Sequence, residues 1–155
     1  MYRVYFKSPI GLLEIIFDDS FSLKKILITD FVKDDEKEPE FAVELIKQLI
    51  LYFRGELTAF SYSFNIKHVS DFDKRVLELI GKIPYGKTVT YSWIAKRLNT
   101  SPRAVGQALK RNPLPIIIPC HRVIKSDGTI GGYSLGVESK RWLIEHERST
   151  LSKFL

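Results

Sequence analysis

The residues best equipped for chemistry lie in Ile118-Pro119-Cys120-His121-Arg122-Val123. Cys120 is the single cysteine of the 155-residue chain. A lone thiol is either a small buried apolar group or a nucleophile. Nucleophilic use needs a neighbouring base or positive charge to lower the thiol pKa, and His121 and Arg122 follow directly. Adjacent side chains of an extended segment point apart, so His121 serves Cys120 only if the backbone turns there or a water bridges the two. Glu147 is a possible third member. On a helix it shares a face with Leu143 and Ile144, at i−4 and i−3, and a carboxylate on an apolar face needs a partner. His121 is the natural one, giving a Glu–His–Cys chain resembling a protease triad. Taken alone, these residues better fit an inert thiol packed after a strand, a surface His121 and a Glu147 that reaches solvent from a fraying helix end.

A second constellation lies just upstream. Over Pro102–Arg111, Val105, Ala108 and Leu109 fall on one helical face, while Arg103, Gly106, Gln107 and Lys110 fall on the other. The outward face is basic, polar and, at Gly106, bare. A glycine inside an exposed helix costs about 1 kcal/mol relative to alanine, which makes sense if another molecule approaches the backbone closely. An ordinary solvated face is the alternative.

These side chains need elements to position them. Ser101 followed by Pro102 is a helix cap with proline at the first helical position. A helix over Tyr91–Leu98, the turn Asn99-Thr100-Ser101 and the helix from Pro102 form a helix-turn-helix layout. Ser70 or Asp71 caps an earlier helix with the stripe Phe72, Val76, Leu77 and Ile80, ended by Pro84-Tyr85-Gly86. Leu114–Pro119 is apolar, proline-bounded and too short for a helix. Gly128, Gly131, Gly132 and Gly136 predict a loop, and a last helix covers about Glu138–Arg148. Near the N-terminus, residues 2–7, 11–17 and 23–29 carry the β-branched and aromatic residues of strands. Ser8-Pro9-Ile10-Gly11 and Asp18-Asp19-Ser20 separate them as turns, which predicts a β-meander. The acidic stretch Lys33–Glu40 is expected as a solvated connector, followed by a helix through Phe41, Leu45, Leu49 and Tyr52/Phe53 that Gly55 stops. The domains are therefore expected at 1–65 and 66–155, with a connector at about 56–69.

Charge follows the same division. Residues 1–65 hold 8 basic and 11 acidic residues, and the rest hold 16 and 7, so the formal net charge of +6 conceals a negative first part and a strongly positive second part. That suggests a polyanion meeting the C-terminal part. No apolar run is long enough to span a bilayer and no signal-peptide pattern opens the chain, so a cytoplasmic protein is expected. One cysteine excludes an internal disulfide and a Cys-rich structural zinc site. Few Gln, Asn and Met beside many Ile, Lys and Glu point to a thermophilic source.

In order and at close spacing, Arg103-Ala104-Val105-Gly106, Asn112-Pro113, Pro119-Cys120-His121-Arg122-Val123 and Gly131-Gly132-Tyr133-Ser134 resemble the O6-alkylguanine-DNA alkyltransferase family. The resemblance covers the C-terminal part and extends loosely to Ser8-Pro9-Ile10-Gly11 and Leu51-Tyr52-Phe53-Arg54-Gly55. It implies an α/β ribonuclease-H-like N-terminal domain and a winged-helix-like helix-turn-helix C-terminal domain that binds the minor groove. It implies Cys120 as alkyl acceptor, His121 as a base acting through a water, Glu147 as its orienting carboxylate and Asn112 as the hinge between the turn after the recognition helix and the active-site loop. Tyr91 then serves guanine N3, Tyr133 and Ser134 face guanine O6, and Val123 makes a backbone contact to the base. Arg103 replaces the flipped nucleotide, and Ser101, Ala104, Gly106, Gln107 and Lys110 complete the DNA-binding face. The expected partner is double-stranded DNA carrying O6-alkylguanine, met by a monomer without cofactor, metal or membrane. Some relatives bind a structural zinc, which three His and a committed Cys120 cannot rebuild. Gln107 stands where many relatives have a smaller residue. A helix-turn-helix regulator or an alkyl-damage sensor leaves the Cys–His–Tyr pattern unexplained, and a cysteine hydrolase leaves the basic helix face unexplained.

Overall fold

The computed structural model describes residues 1–33 and 39–154; of the connector expected at Lys33–Glu40, residues 34–38 lie outside that description. The chain forms two compact units, Met1–Ile66 and Lys67–Leu155.

The first unit is an antiparallel meander of β1 (Tyr2–Ser8), β2 (Gly11–Phe17) and β3 (Leu23–Thr29) with one long helix, α1 (Val43–Phe53). The β1–β2 turn is two residues long, with Ser8 facing Gly11. Ser8 Oγ accepts from the Ile10 amide and donates to the Gly11 carbonyl, which fixes the register. Asp18 closes the second turn by accepting from the Ser20 and Ser22 amides. Alternation puts Leu13, Ile15 and Phe17 of β2 on one face, all fully buried. Helix α1 buries Leu45, Leu49 and Tyr52; Phe6 contacts Phe53 at its C-terminal end, and Phe17 contacts Phe41 in the 3-10 turn just before it. Residues 56–66 are not a free linker. Gln48 bonds Ser61, the Tyr62 hydroxyl donates to Phe41 O, and Phe64 bridges Leu23.

In the second unit α2 (Asp71–Ile80), α3 (Tyr91–Leu98) and α4 (Pro102–Lys110) pack together. Each starts on a hydroxyl cap: Ser70 for Asp73 N, Thr90 for Trp93 N and Ser101 for Ala104 N. Such a cap is worth about 1 kcal/mol. Asn99, at φ 52°, ends α3 in the left-handed region, which makes the turn into α4 tight. Asp73 grips Arg111 with two 2.8 Å bonds and so ties α2 to the end of α4. The last helix, α5, runs over Val137–Ser152, longer at both ends than its sequence pattern predicts. Two strands were not foreseen: β4 (Val89–Thr90) and β5 (Val123–Ile124) pair in parallel. The mixed α/β-plus-α class is as expected. Among the described residues no helix is long and apolar enough to cross a membrane.

A candidate active site around Cys120

The backbone turns where the sequence required it. Cys120–Arg122 form one 3-10 turn, closed by Cys120 N to Ile118 O (2.8 Å) and Arg122 N to Pro119 O (3.0 Å). The curl carries three consecutive side chains inward, and Cys120, His121 and Arg122 are all buried.

His121 and Glu147 meet. Nε2 of His121 lies 2.6 Å from Glu147 Oε2. A carboxylate only accepts, so Nε2 carries the hydrogen and Nδ1 keeps its lone pair. That Nδ1 is buried and has no hydrogen-bond partner among the described residues. Arg122 adds Nε to Oε1 at 2.8 Å and Nη2 to Oε2 at 3.1 Å, and spends Nη1 on the Ile83 carbonyl at 2.7 Å. The Gly86 amide donates to Oε1 at 3.1 Å. Gly86 sits at φ +78°, and a Cβ there would lie 2.6 Å from Leu151 Cδ2, so only glycine brings this amide to the carboxylate. Burial alone would raise the Glu147 pKa; hydrogen bonds and charge from His121 and Arg122 outweigh it and hold the group well below the usual carboxylate range. Burial also depresses the His121 pKa, against the pull of Glu147, so the imidazole is neutral at pH 7.

The thiol departs from the sequence expectation of a lowered pKa. Burial pushes Cys120 up to about 11, opposed by a hydrogen bond from Asn112 and by the charge of Lys140. The resting group is a thiol that ionises only as its proton is taken. Asn112 Nδ2 donates to Ile118 O and its Oδ1 accepts from Leu114 N, both at 3.0 Å. These bonds brace the 112–119 loop, in which Ile116 takes φ +78°, a strained value for a β-branched residue.

Cys120 opens onto a pocket of about 80 Å³ walled by Tyr91, Gly106, Lys110 and Leu109 on one side and by Gly132, Tyr133 and Ser134 on the other. The Tyr91 and Tyr133 pKa values are both raised by burial, next by the Cys120 charge. The remaining expected residues scatter in role. Val123 is buried in β5 and pairs with Val89, outside the pocket lining. Arg103, Gln107 and Lys110 are exposed along α4, with Ser101 at its cap and Ala104 half-buried. Gly106 is half-buried: Tyr91 at the start of α3 lies along one side of it, and a Cβ there would meet the Tyr91 ring at 3.8 Å, an ordinary contact.

Two site residues escaped the sequence reading. Arg122 was seen as a neighbouring charge and not as the clamp on Glu147. Lys140 looked like a solvated helix charge, yet it is fully buried. Its Nζ donates to the Gly132 carbonyl at 3.1 Å and the Tyr91 hydroxyl at 3.3 Å, and burial pulls its pKa down to about 8. The signal was present: Lys140 shares the 143, 144, 147 face that singled out Glu147.

Comparison with known proteins places this arrangement. Residues 71–149 match the family described as 6-O-methylguanine DNA methyltransferase, DNA binding domain. A methylated-DNA–protein-cysteine methyltransferase of Saccharolobus solfataricus is 43% identical over 150 residues, 95% of each chain. One from Methanocaldococcus jannaschii is 56% identical over 86 residues, 56% of this chain and 51% of that one. Among solved structures, Mycobacterium tuberculosis OGT in complex with DNA superposes with a TM-score of 0.84 at 35% identity, covering 97% of this chain and 94% of that one. The O6-methylguanine-DNA methyltransferase of the hyperthermophilic archaeon Pyrococcus kodakaraensis gives 0.72 at 30% identity, covering 94% and 97%.

Proposed function

The chain belongs to the 6-O-methylguanine DNA methyltransferase family, and on that footing we propose that it repairs O6-alkylguanine in double-stranded DNA by direct reversal, moving the alkyl group irreversibly onto Cys120. The observation that carries this is the neutral His121, locked by Glu147 through Nε2 and free at Nδ1, in the same buried turn as a thiol that faces a small pocket.

The damaged base leaves the stack from the minor groove at a cost of a few kcal/mol. Arg103, exposed on α4, fills its place. The thiol proton passes through a water to His121 Nδ1. Glu147 stabilises the imidazolium, and the hydrogen bonds it accepts from Gly86, His121 and Arg122 keep it from taking the proton itself. The thiolate attacks the alkyl carbon, the carbon–O6 bond breaks, and its electron pair goes to the guanine. The proton lost by Cys120 is balanced by one gained by the purine. Tyr91 serves N3, Tyr133 and Ser134 serve O6, and the Val123 backbone contacts the base, so charge on the leaving base meets donors already in place. Lys140 opposes the thiolate charge. Asn112 holds the loop that presents Cys120. Ser101, Ala104, Gly106, Gln107 and Lys110 complete the α4 surface toward DNA, and the protein acts in the cytoplasm as a monomer. The product thioether is a poor leaving group, so each chain reacts once.

The test is stoichiometry. With excess O6-methylguanine duplex, repaired guanine should plateau at one per chain. Continued turnover would contradict the reading.

A further inference from the structure

We propose that Tyr85 is a positioning residue for alkyl transfer. It fastens the turn between α2 and β4 to α5, and so holds the Ile83 carbonyl and the Gly86 amide on the Arg122–Glu147 pair that steers His121. The inference rests on the repair reading and adds to it a residue that lies outside the lining of the reaction pocket.

In the sequence Pro84-Tyr85-Gly86 is no more than the stop to α2. In the structure it is a turn closed by Lys87 N to Pro84 O at 3.1 Å, with Gly86 at φ +78°. The turn meets the site at three of four consecutive residues. The Ile83 carbonyl accepts from Arg122 Nη1 at 2.7 Å. The Tyr85 ring centre lies 5.7 Å from the Arg122 guanidinium carbon, within reach of the ring's attraction for a cation. Gly86 N donates to Glu147 Oε1 at 3.1 Å.

Two contacts keep this turn against α5. Tyr85 and Thr150 are both buried. Burial raises the Tyr85 pKa, and a hydrogen bond with the Thr150 side chain opposes that rise. Thr150 stands three residues after Glu147 and shares its helical face. The turn is therefore fastened at two levels of one face, Gly86 on Glu147 and Tyr85 on Thr150. Leu151 closes the remaining side, with its Cδ2 only 2.6 Å from where a Cβ on Gly86 would fall.

The consequence reaches the base. Glu147 and Lys140 face His121 from α5, Cys120 and Arg122 flank it in its own turn, and Tyr133 approaches from the glycine loop. Of these groups, the 83–86 turn bonds Glu147 and Arg122. Each donor to the carboxylate lowers its basicity and weakens its hold on the Nε2 proton. With the turn loosened, Glu147 is a stronger base and stabilises the imidazolium more. His121 then takes up a proton at a higher pH and is no longer free to accept the one from Cys120.

The experiment uses the full chain with Tyr85→Phe, Thr150→Val and the two combined. Phenylalanine keeps the ring over Arg122 and valine keeps the shape of threonine, so each removes one half of the hydroxyl contact. Two quantities are compared with wild type: the NMR resonance of the Gly86 amide in the unreacted protein, and the rate of reaction with free O6-benzylguanine between pH 5 and pH 8. The Gly86 amide proton should move upfield in all three variants. The ratio of variant to wild-type rate should fall about threefold from pH 8 to pH 5. The double variant should match the singles, because all three remove one contact. Thr150→Val answers the question even if Tyr85→Phe fails to fold. A rate ratio constant across pH with an unmoved Gly86 amide would make Tyr85 a packing residue and overturn the proposal, as would variants identical to wild type in both quantities. A wild type unreactive toward the free base and the duplex would instead overturn the repair reading, since the amide is read before any reaction.

Discussion

His121 donates through Nε2 to Glu147 Oε2 at 2.6 Å, and it does so to a carboxylate already saturated by Arg122 and the Gly86 amide. That saturation explains the direction of catalysis. An acceptor with these donors is a weak base, so the shared proton stays on His121 and Nδ1 remains available.

Stability should fall on acidification in two steps. The folded pKa values of both His121 and Glu147 are depressed. The unfolded chain therefore binds more protons than the folded one below the ordinary values, 6.5 for His and 4.5 for Glu. The contribution of these two groups is complete above pH 6.5, declines as pH drops below it, and declines again below pH 4.5. Denaturant titration at fixed pH values checks this, and equal midpoints from pH 7 to pH 4 would contradict it. Glu147→Gln should cost on the order of 3–5 kcal/mol, because it leaves the Arg122 charge buried without its counter-ion.

Lys140→Met should slow alkyl transfer, even to a free base, while leaving stability equal or higher. The variant removes a desolvated cation from the interior, and it also removes the charge that opposes Cys120 ionisation. A shift of one pKa unit in the thiol corresponds to about tenfold in rate. The wild-type rate should also lose ground as pH rises past about 8, where Lys140 gives up its proton. That loss should be missing in Lys140→Met. Matching pH profiles for the two proteins would remove Lys140 from the reaction.

The glycine loop offers a paired test. At Gly131, with φ +81°, a Cβ would come within 2.8 Å of the Tyr91 hydroxyl, whereas at Gly132 it would meet nothing within 4 Å. Gly131→Ala should cost about 1–3 kcal/mol from backbone strain and push Tyr91 or the loop, so bulky alkyl groups lose reactivity before methyl. Gly132→Ala should behave as wild type. The same loss of rate and melting temperature in both would show that the loop is not packed on Tyr91.

How much of this was legible in the sequence depended on the range of each signal. Ser70 and Ser101 declared their helices because a cap acts within three residues. The β4–β5 ladder left no trace, since two-residue strands have no periodicity and pair across more than thirty positions. The direction of the Cys120 pKa was misread for a related reason. Adjacent basic residues are visible in sequence, but burial is a property of the packed turn, and here it dominates. Asn112, given only as a hinge by the resemblance, bonds Leu114 N and Ile118 O, in the loop that leads to Cys120.

Those bonds predict the fate of the reacted protein. Alkylation leaves a permanent group beside Cys120, where Asn112 holds a loop strained at Ile116. Overpacking typically costs about 1–3 kcal/mol. Melting temperature should fall on methylation and fall further on benzylation. Asn112→Ala should cost about 1–3 kcal/mol in the free protein and narrow the gap between free and alkylated forms. Superimposable melting curves for free and benzylated wild type would refute this.

The central claim is tested most directly by mass spectrometry of the intact chain and its peptides after incubation with an O6-methylguanine duplex. The account predicts one added methyl per chain, carried entirely on the peptide containing Cys120, and none on Cys120→Ser. A methyl on any other residue, or guanine repair by Cys120→Ser, would contradict it.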